Sequence, residues 1–196
     1  MTGIDAMVHA IEAYTSRIRK NPLADSLARE ALRIMYDNLP RVLRDGGDRE
    51  ARSAMLAGSM MAGMAFANAP VGAVHALAYP LGGHFHVPHG LSNALVLAPV
   101  LAYNRPVAEK LYAELAGVIN PQQRFNDSAV AAQWFVDDMS RLVAAMPFAQ
   151  TLRAVGVAEK DLDLLATDAM KVERLLVNNP RDMTYDAARA IYAQQL

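Results

Sequence analysis

The stretch GAVHALAYPLGGHFHVPHGLSNALVL (Gly72–Leu97) carries two apolar segments on either side of a break. On both sides apolar residues recur three and four apart, which is the spacing of helix rather than the alternation of strand. Pro80, the Gly82–Gly83 pair and Pro88 interrupt the pattern, so the spacing predicts a helix over Gly72–Leu81, a bend, and a second helix over Gly90–Tyr103. The same stretch holds His75, His84, His86 and His89, four of the 5 histidines in the chain. Imidazoles gathered among Ala, Leu, Val and Gly are either tolerated core residues or groups held for a purpose.

Working outward, the same periodicity recurs throughout, and no segment reads as a confident strand. Further helices are expected at Asp5–Thr15, Pro22–Tyr36, Arg49–Asn68, Val107–Val118, Asp127–Ala145, Thr151–Val155, Glu159–Lys171 and Thr184–Gln194. The punctuation agrees: Asn21–Pro22, Asp45–Asp48, Asn68–Pro70, Asn104–Pro106, Ile119–Pro121 and Asn178–Arg181 all read as turns or helix starts, with Asp48 a candidate N-cap. The fold class expected is all-α, a multi-helix bundle. Gly58 and Ala62 in MLAGSMMAGMAFANA suit a central helix closely approached by neighbours, and its methionines read as core filler.

At 196 residues and 53% hydrophobic the chain can bury one substantial core, so a single domain is expected. Nineteen basic against twenty acidic residues give a net charge of −1, without the positive field that a nucleic acid or an anionic membrane surface requires. The absence of cysteine removes disulfides, thiolate metal sites and thiol nucleophiles together. It fits a reducing compartment, and the expected location is the cytoplasm. No signal peptide is recognisable, and charges interrupt every apolar run before it reaches the roughly 20 residues of a membrane span.

Asp5 and His9 stand four apart on the first predicted helix, one turn apart on one face, where a carboxylate and an imidazole can converge on one ion. The bland alternative is that Asp5 only favours the positive helix N-terminus. His75 and His89 lie at the two ends of the helix–bend–helix unit, which can return them to one place. Three imidazoles and a carboxylate would suit Fe(II) or Zn(II) rather than Mg or Ca, which prefer oxygen shells. Composition does not choose among the histidines: His84 and His86, flanking Phe85 in the bend, could be loop or cleft residues. No His-Glu-x-x-His, Gly-x-Ser-x-Gly, Walker or Gly-x-Gly-x-x-Gly pattern is present.

TGIDAMVHAIEAYTS (Thr2–Ser16) and HALAYPLGGHFHVPHGLSNALVL (His75–Leu97) together resemble the two signature regions of the iron-containing (group III) alcohol dehydrogenases, in the dehydroquinate-synthase-like superfamily. The resemblance spans essentially the whole chain, with Asn179–Arg181 similar to the family's closing segment. It implies a metal held by Asp5, His9, His75 and His89. It also implies that residues 1–196 correspond only to the family's all-helical, metal-binding C-terminal domain. The family's N-terminal α/β domain, whose glycine-rich loop binds the NAD(P) pyrophosphate, has no counterpart, and Met1 falls near the expected boundary between the two. Many members place a histidine where Tyr79 stands, close to the nicotinamide. A tyrosine there is the catalytic candidate, with a reference pKa near 10 that makes it a different acid–base group; His84 or His86 could substitute. Phe66 and Val71 resemble residues lining the substrate and nicotinamide pocket, and either is also an ordinary core residue.

The function implied is the metal-binding half of an NAD- or NADP-dependent alcohol dehydrogenase or aldehyde reductase, with the metal a Lewis acid on the oxygen of a small alcohol. Fe(II) is the expected ion and Zn(II) the alternative. Alone, without a nucleotide-binding domain, the chain is expected to bind metal but not to turn over. Its uncovered cleft wall is expected to favour a homo-oligomer. Two rival readings remain: a non-enzymatic helical remnant or assembly domain, in which Asp5 and His9 fray, and a metal-dependent hydrolase, for which Glu12 is the one nearby candidate base.

Overall fold

Helix α1 (Thr2–Thr15) carries Ile4, Met7, Val8 and Ile11 into the core, and Asp5, His9 and Glu12 along one face. Asn21 then caps α2 (Pro22–Arg44), its side chain accepting from the Ala24 N–H while Pro22 fills a position whose N–H is not needed. Asp48 accepts from the Ala51 N–H to start α3 (Arg49–Asn68), as expected. A bend leads to α4 (Ala73–Phe85) and, after a three-residue link, to α5 (His89–Ile119). Helix α6 (Ser128–Ala144) follows, capped by Asp127. The short helices α7 (Leu162–Met170), α8 (Glu173–Leu176) and α9 (Tyr185–Gln194) close the chain. The computed structural model describes all residues, 1–196, and contains no strand.

The all-α bundle is thus as read from periodicity, with differences in detail: α4 runs through Pro80 and the Gly82–Gly83 pair to Phe85, where the expected helix stops at Leu81, and the short α8 is not among the expected helices. Arg49–Asn68 is placed to the residue, but α2 runs on to Arg44, since Leu39 remains buried beyond the expected end. The segments expected as two helices at Gly90–Tyr103 and Val107–Val118 form the single helix α5, which passes through Pro99 and Pro106. Proline removes one backbone bond to the residue four before it. At Pro106 that residue is Ala102, which is exposed, so water can take the carbonyl, while Leu101, Asn104, Ala108 and Tyr112 keep one face buried. Thr151–Val155 is reduced to a single 3-10 turn at Arg153–Val155, and Glu159–Lys171 is a 3-10 turn running into α7.

A further difference is α3. Only part of its methionine fills the core: its buried residues are Ala51, Gly58, Ala62 and Ala65, Met55 and Met61 pack partly buried against the core, and Leu56, Met60 and Met64 are 74%, 62% and 49% exposed. The small side packs closest. A Cβ on Gly58 would stand 2.6 Å from Met35 Cγ and 3.3 Å from the Ala31 carbonyl, which is how closely α2 and α3 approach. With methionine on every side, the sequence offers no polar face to mark the outer one.

One core of 55 buried residues runs through all these elements. Helices α1 and α4 both pack against α5, and these three helices carry His9, His75 and His89. No single helix is long and apolar enough to cross a membrane.

Candidate metal centre

Three helices meet at their N-terminal turns. Asp5 comes from the first turns of α1, His75 from the first turn of α4, and His89 opens α5. Gly90 permits the approach: a Cβ there would stand 2.9 Å from the Met1 carbonyl and 3.3 Å from Asp5 Cβ. Asp5, His75 and His89 offer ligand atoms all within 4.8 Å of one another. Asp5 Oδ1 lies 3.5 Å from His89 Nε2 and 3.8 Å from His75 Nε2. His9 falls outside that set of three, yet its Nε2 stands 3.1 Å from His75 Nε2, the two rings 4.6 Å apart. Donors sharing one tetrahedral ion at bonds of about 2.0–2.1 Å are separated by roughly 3.3 Å, so these spacings and this nitrogen–oxygen chemistry fit a first-row divalent metal.

The electrostatics favour neutral imidazole at His9. Its burial first, then the neighbouring His75, push its pKa down to about 4 against the pull of Asp5. A neutral ring keeps a lone pair for a metal. The unfolded chain takes up this proton near pH 6.5, the folded chain only near 4. In the metal-free protein the stability from a neutral His9 is therefore complete above about pH 6.5 and is lost as pH falls toward 4. Urea denaturation at pH 7 and pH 5 should show a larger loss for wild type than for His9→Gln; equal losses would remove His9 as the cause.

Two further residues complete the site: Asn93, which motif reading did not assign, and Glu12, named only as a candidate base for a hydrolase. Asn93, fully buried one turn after His89 on α5, donates through Nδ2 to Asp5 Oδ1 at 2.5 Å and lies 3.2 Å from both His75 Nε2 and His89 Nε2. Its own Oδ1 is buried without a partner. Glu12, 6% exposed, accepts from the Val74 N–H at 2.7 Å, and its other oxygen lies 2.5 Å from His75 Nδ1. Both carboxylate oxygens are thus engaged, so Glu12 does not stand free as a base for activating water. Their helical spacing was the available signal: Glu12 follows His9 by three, Asn93 follows His89 by four.

The remaining candidates are distributed around this centre. Tyr79 is 38% exposed, its ring 6.1 Å from that of His89 and flanked by the Arg174 guanidinium. Phe66 stacks on His9 with centroids 4.5 Å apart. Val71 is buried in the core, and its carbonyl accepts from Asn178. His84 and His86 do not hydrogen-bond to the cluster. His84 Nε2 is paired with Asp168 of α7 at 2.6 Å. His86 ends α4 in the left-handed conformation, φ 53°, where its N–H reaches the Gly82 carbonyl.

Three helix starts thus bring histidines and a carboxylate into one cluster that could hold a metal ion, with the His89 side chain half-exposed. Residues 1–196 match the model of the Fe-containing alcohol dehydrogenase family, C-terminal region. The chain belongs to that family. It is 40% identical over 191 residues to long-chain-alcohol dehydrogenase 1 of Geobacillus thermodenitrificans, covering 97% of this chain and 48% of that one. It is 36% identical over 193 residues to the 1,3-propanediol dehydrogenase of Klebsiella pneumoniae, covering 98% and 49%. Among solved structures, 1,3-propanediol oxidoreductase superposes with a TM-score of 0.93 at 35% identity, over 100% of this chain and 50% of that one. An alcohol dehydrogenase from Oenococcus oeni gives 0.93 at 32% identity, with the same coverage. The chain spans about half the length of these relatives.

Proposed function

We propose that this chain is the metal-binding half of an NAD(P)-dependent alcohol dehydrogenase or aldehyde reductase. The convergence of Asp5, His75 and His89 within 4.8 Å, with His9 beside His75, carries the reading. The four side chains would hold the ion, Fe(II) or alternatively Zn(II). A divalent metal bound there supplies Lewis acidity toward the oxygen of an alcohol or carbonyl compound. The chain's own residues do the rest of the positioning: half-exposed His89 marks the side open to a small alcohol or aldehyde, Phe66 covers His9, and Tyr79 stands near His89 as a hydroxyl donor.

NAD or NADP belongs to a nucleotide-binding domain of the kind that makes up the other half of the family's enzymes, since no glycine-rich phosphate cradle occurs here. The apolar stripe of Leu56, Met60 and Met64 is a face we assign to contact with that domain, and a homo-oligomer of the isolated chain would bury it too. A cytoplasmic location completes this reading.

Metal content after anaerobic loading with Fe(II) or Zn(II), and NAD(P)-dependent alcohol oxidation, test it together. The polypeptide of residues 1–196 should hold about one ion per chain and show no oxidation above background. No bound metal would overturn the metal-binding reading; a clear oxidation rate would overturn the need for a nucleotide-binding partner.

A further inference from the structure

Glu12 is a charged residue placed in the core, and the metal-ligand reading leaves it unassigned. It touches none of Asp5, His9 or His89 by hydrogen bond. Its two oxygens are divided between two donors on α4: Oε1 takes the Val74 N–H, and Oε2 lies 2.5 Å from His75 Nδ1. Val74 is in the first turn of α4, where backbone N–H groups have no intrahelical partner and the helix favours negative charge. The carboxylate therefore fixes the start of α4 and the ring of its third residue with one group.

We infer that Glu12 is the positioning residue that sets the His75 tautomer, holding the proton on Nδ1 so that Nε2 presents its lone pair to the metal. This rests on the metal-binding reading above, although the tautomer itself does not require a metal. An ionised carboxylate only accepts hydrogen bonds, so Nδ1 must donate to it, and a neutral imidazole carries its one proton there. The other end of the ring agrees. Asn93 Nδ2 lies 3.2 Å from His75 Nε2 while donating to Asp5, and an amide NH2 can face Nε2 favourably only if that nitrogen accepts. Two groups on two other helices, α1 and α5, thus impose one tautomer on a ring from α4.

Glu12→Gln separates this role from space filling. Glutamine has nearly the same shape but one acceptor and one donor end. The Val74 N–H, buried at a helix start, claims the carbonyl oxygen, because a donor facing it would leave two N–H groups opposed. The amide NH2 then faces His75 Nδ1, which must accept, and the ring proton moves to Nε2. The nitrogen meant for the metal is blocked.

The tests are long-range proton–nitrogen NMR of the His75 ring in the metal-free full chain and Zn(II) affinity by competition with a chelator, for wild type and Glu12→Gln, with circular dichroism as the check on fold. Wild type should show Nδ1 protonated and Nε2 free. Glu12→Gln should show the reverse and bind Zn(II) about 10–100-fold more weakly, the usual loss when a carboxylate behind a metal-bound histidine is removed. A wild-type ring protonated on Nε2 overturns the assignment without any variant, and it decides the matter if Glu12→Gln does not fold. A folded Glu12→Gln that keeps Nε2 free, or that binds Zn(II) within twofold of wild type, overturns it as well. Absence of Zn(II) binding by wild type counts instead against the metal-binding reading, since the tautomer is read independently.

Discussion

His75→Ala should abolish metal binding and destabilise the protein, whereas His89→Ala should abolish metal binding and leave stability nearly unchanged. Both residues contribute one nitrogen to the same cluster, so loss of either breaks the ligand set. Their surroundings differ. His75 is 2% exposed and is the side-chain partner of Glu12, so its removal leaves a buried carboxylate with one oxygen unpaired as well as a cavity. Breaking a buried pair in this way costs about 3 kcal/mol. For a chain of this size that lowers Tm by roughly 6–12 °C. The His89 side chain is 48% exposed, and water replaces its contacts, so the change stays within about 0.5 kcal/mol. Metal content by inductively coupled plasma mass spectrometry and calorimetry of the metal-free proteins measure the two effects. A full ion in either variant, or equal Tm losses in both, contradicts the assignment.

Asn179→Ala should be about as damaging to stability, although Asn179 belongs to no catalytic pattern. Its Oδ1 accepts from Asn104 Nδ2 at 2.9 Å and from the Ala73 N–H at 3.3 Å. Its Nδ2 donates to Asn104 Oδ1 at 2.7 Å and to the Arg181 carbonyl at 2.6 Å. Asn179 and Asn104 are 1% and 3% exposed, so truncation strands both ends of the Asn104 amide and the first N–H of α4 away from water. At about 1–3 kcal/mol for each buried group left unmade, tempered by local relaxation, a loss of about 3 kcal/mol is expected. Urea denaturation monitored by far-ultraviolet circular dichroism measures it; a change below about 0.5 kcal/mol would mean that the amide pair contributes little. Because Ala73 starts the helix that carries His75, metal affinity should fall as well.

Helices were legible wherever an apolar stripe and its punctuation agreed. Asp48 before Arg49, and Asn21 before Pro22, marked starts that the structure keeps, because a cap is a local event between residues two or three apart. Asn104–Pro106 misled for the complementary reason: a proline's local penalty is real, but α5 continues because its opposite face is held in the core and Ala102, whose carbonyl loses its helical partner, is an exposed residue. Met60 and Met64 of α3 misled, while Met55 and Met61 pack against the core, because apolarity does not say which neighbour covers a side chain. At the candidate centre, type and spacing pointed to Asp5 with His9 and to four histidines gathered around the bend, and the family resemblance rather than composition singled out His75 and His89 among them. The separate tasks of His84, paired with Asp168, and of His86, ending α4, could not be picked out.

The sequence by itself determined that the protein is helical, that its imidazoles gather around one bend, and that a carboxylate and a histidine share a face of α1. These are properties of periodicity and short spacing, set by backbone geometry within a turn or two. Only the tertiary structure decided that Glu12 serves His75, that Asn93 stands among the candidate ligands, and that Gly90 lets α5 close on Met1 and Asp5. Those relations join residues 63, 88 and 89 positions apart. Over such separations burial and hydrogen-bond satisfaction in the packed core, rather than local preference, select which side chains meet.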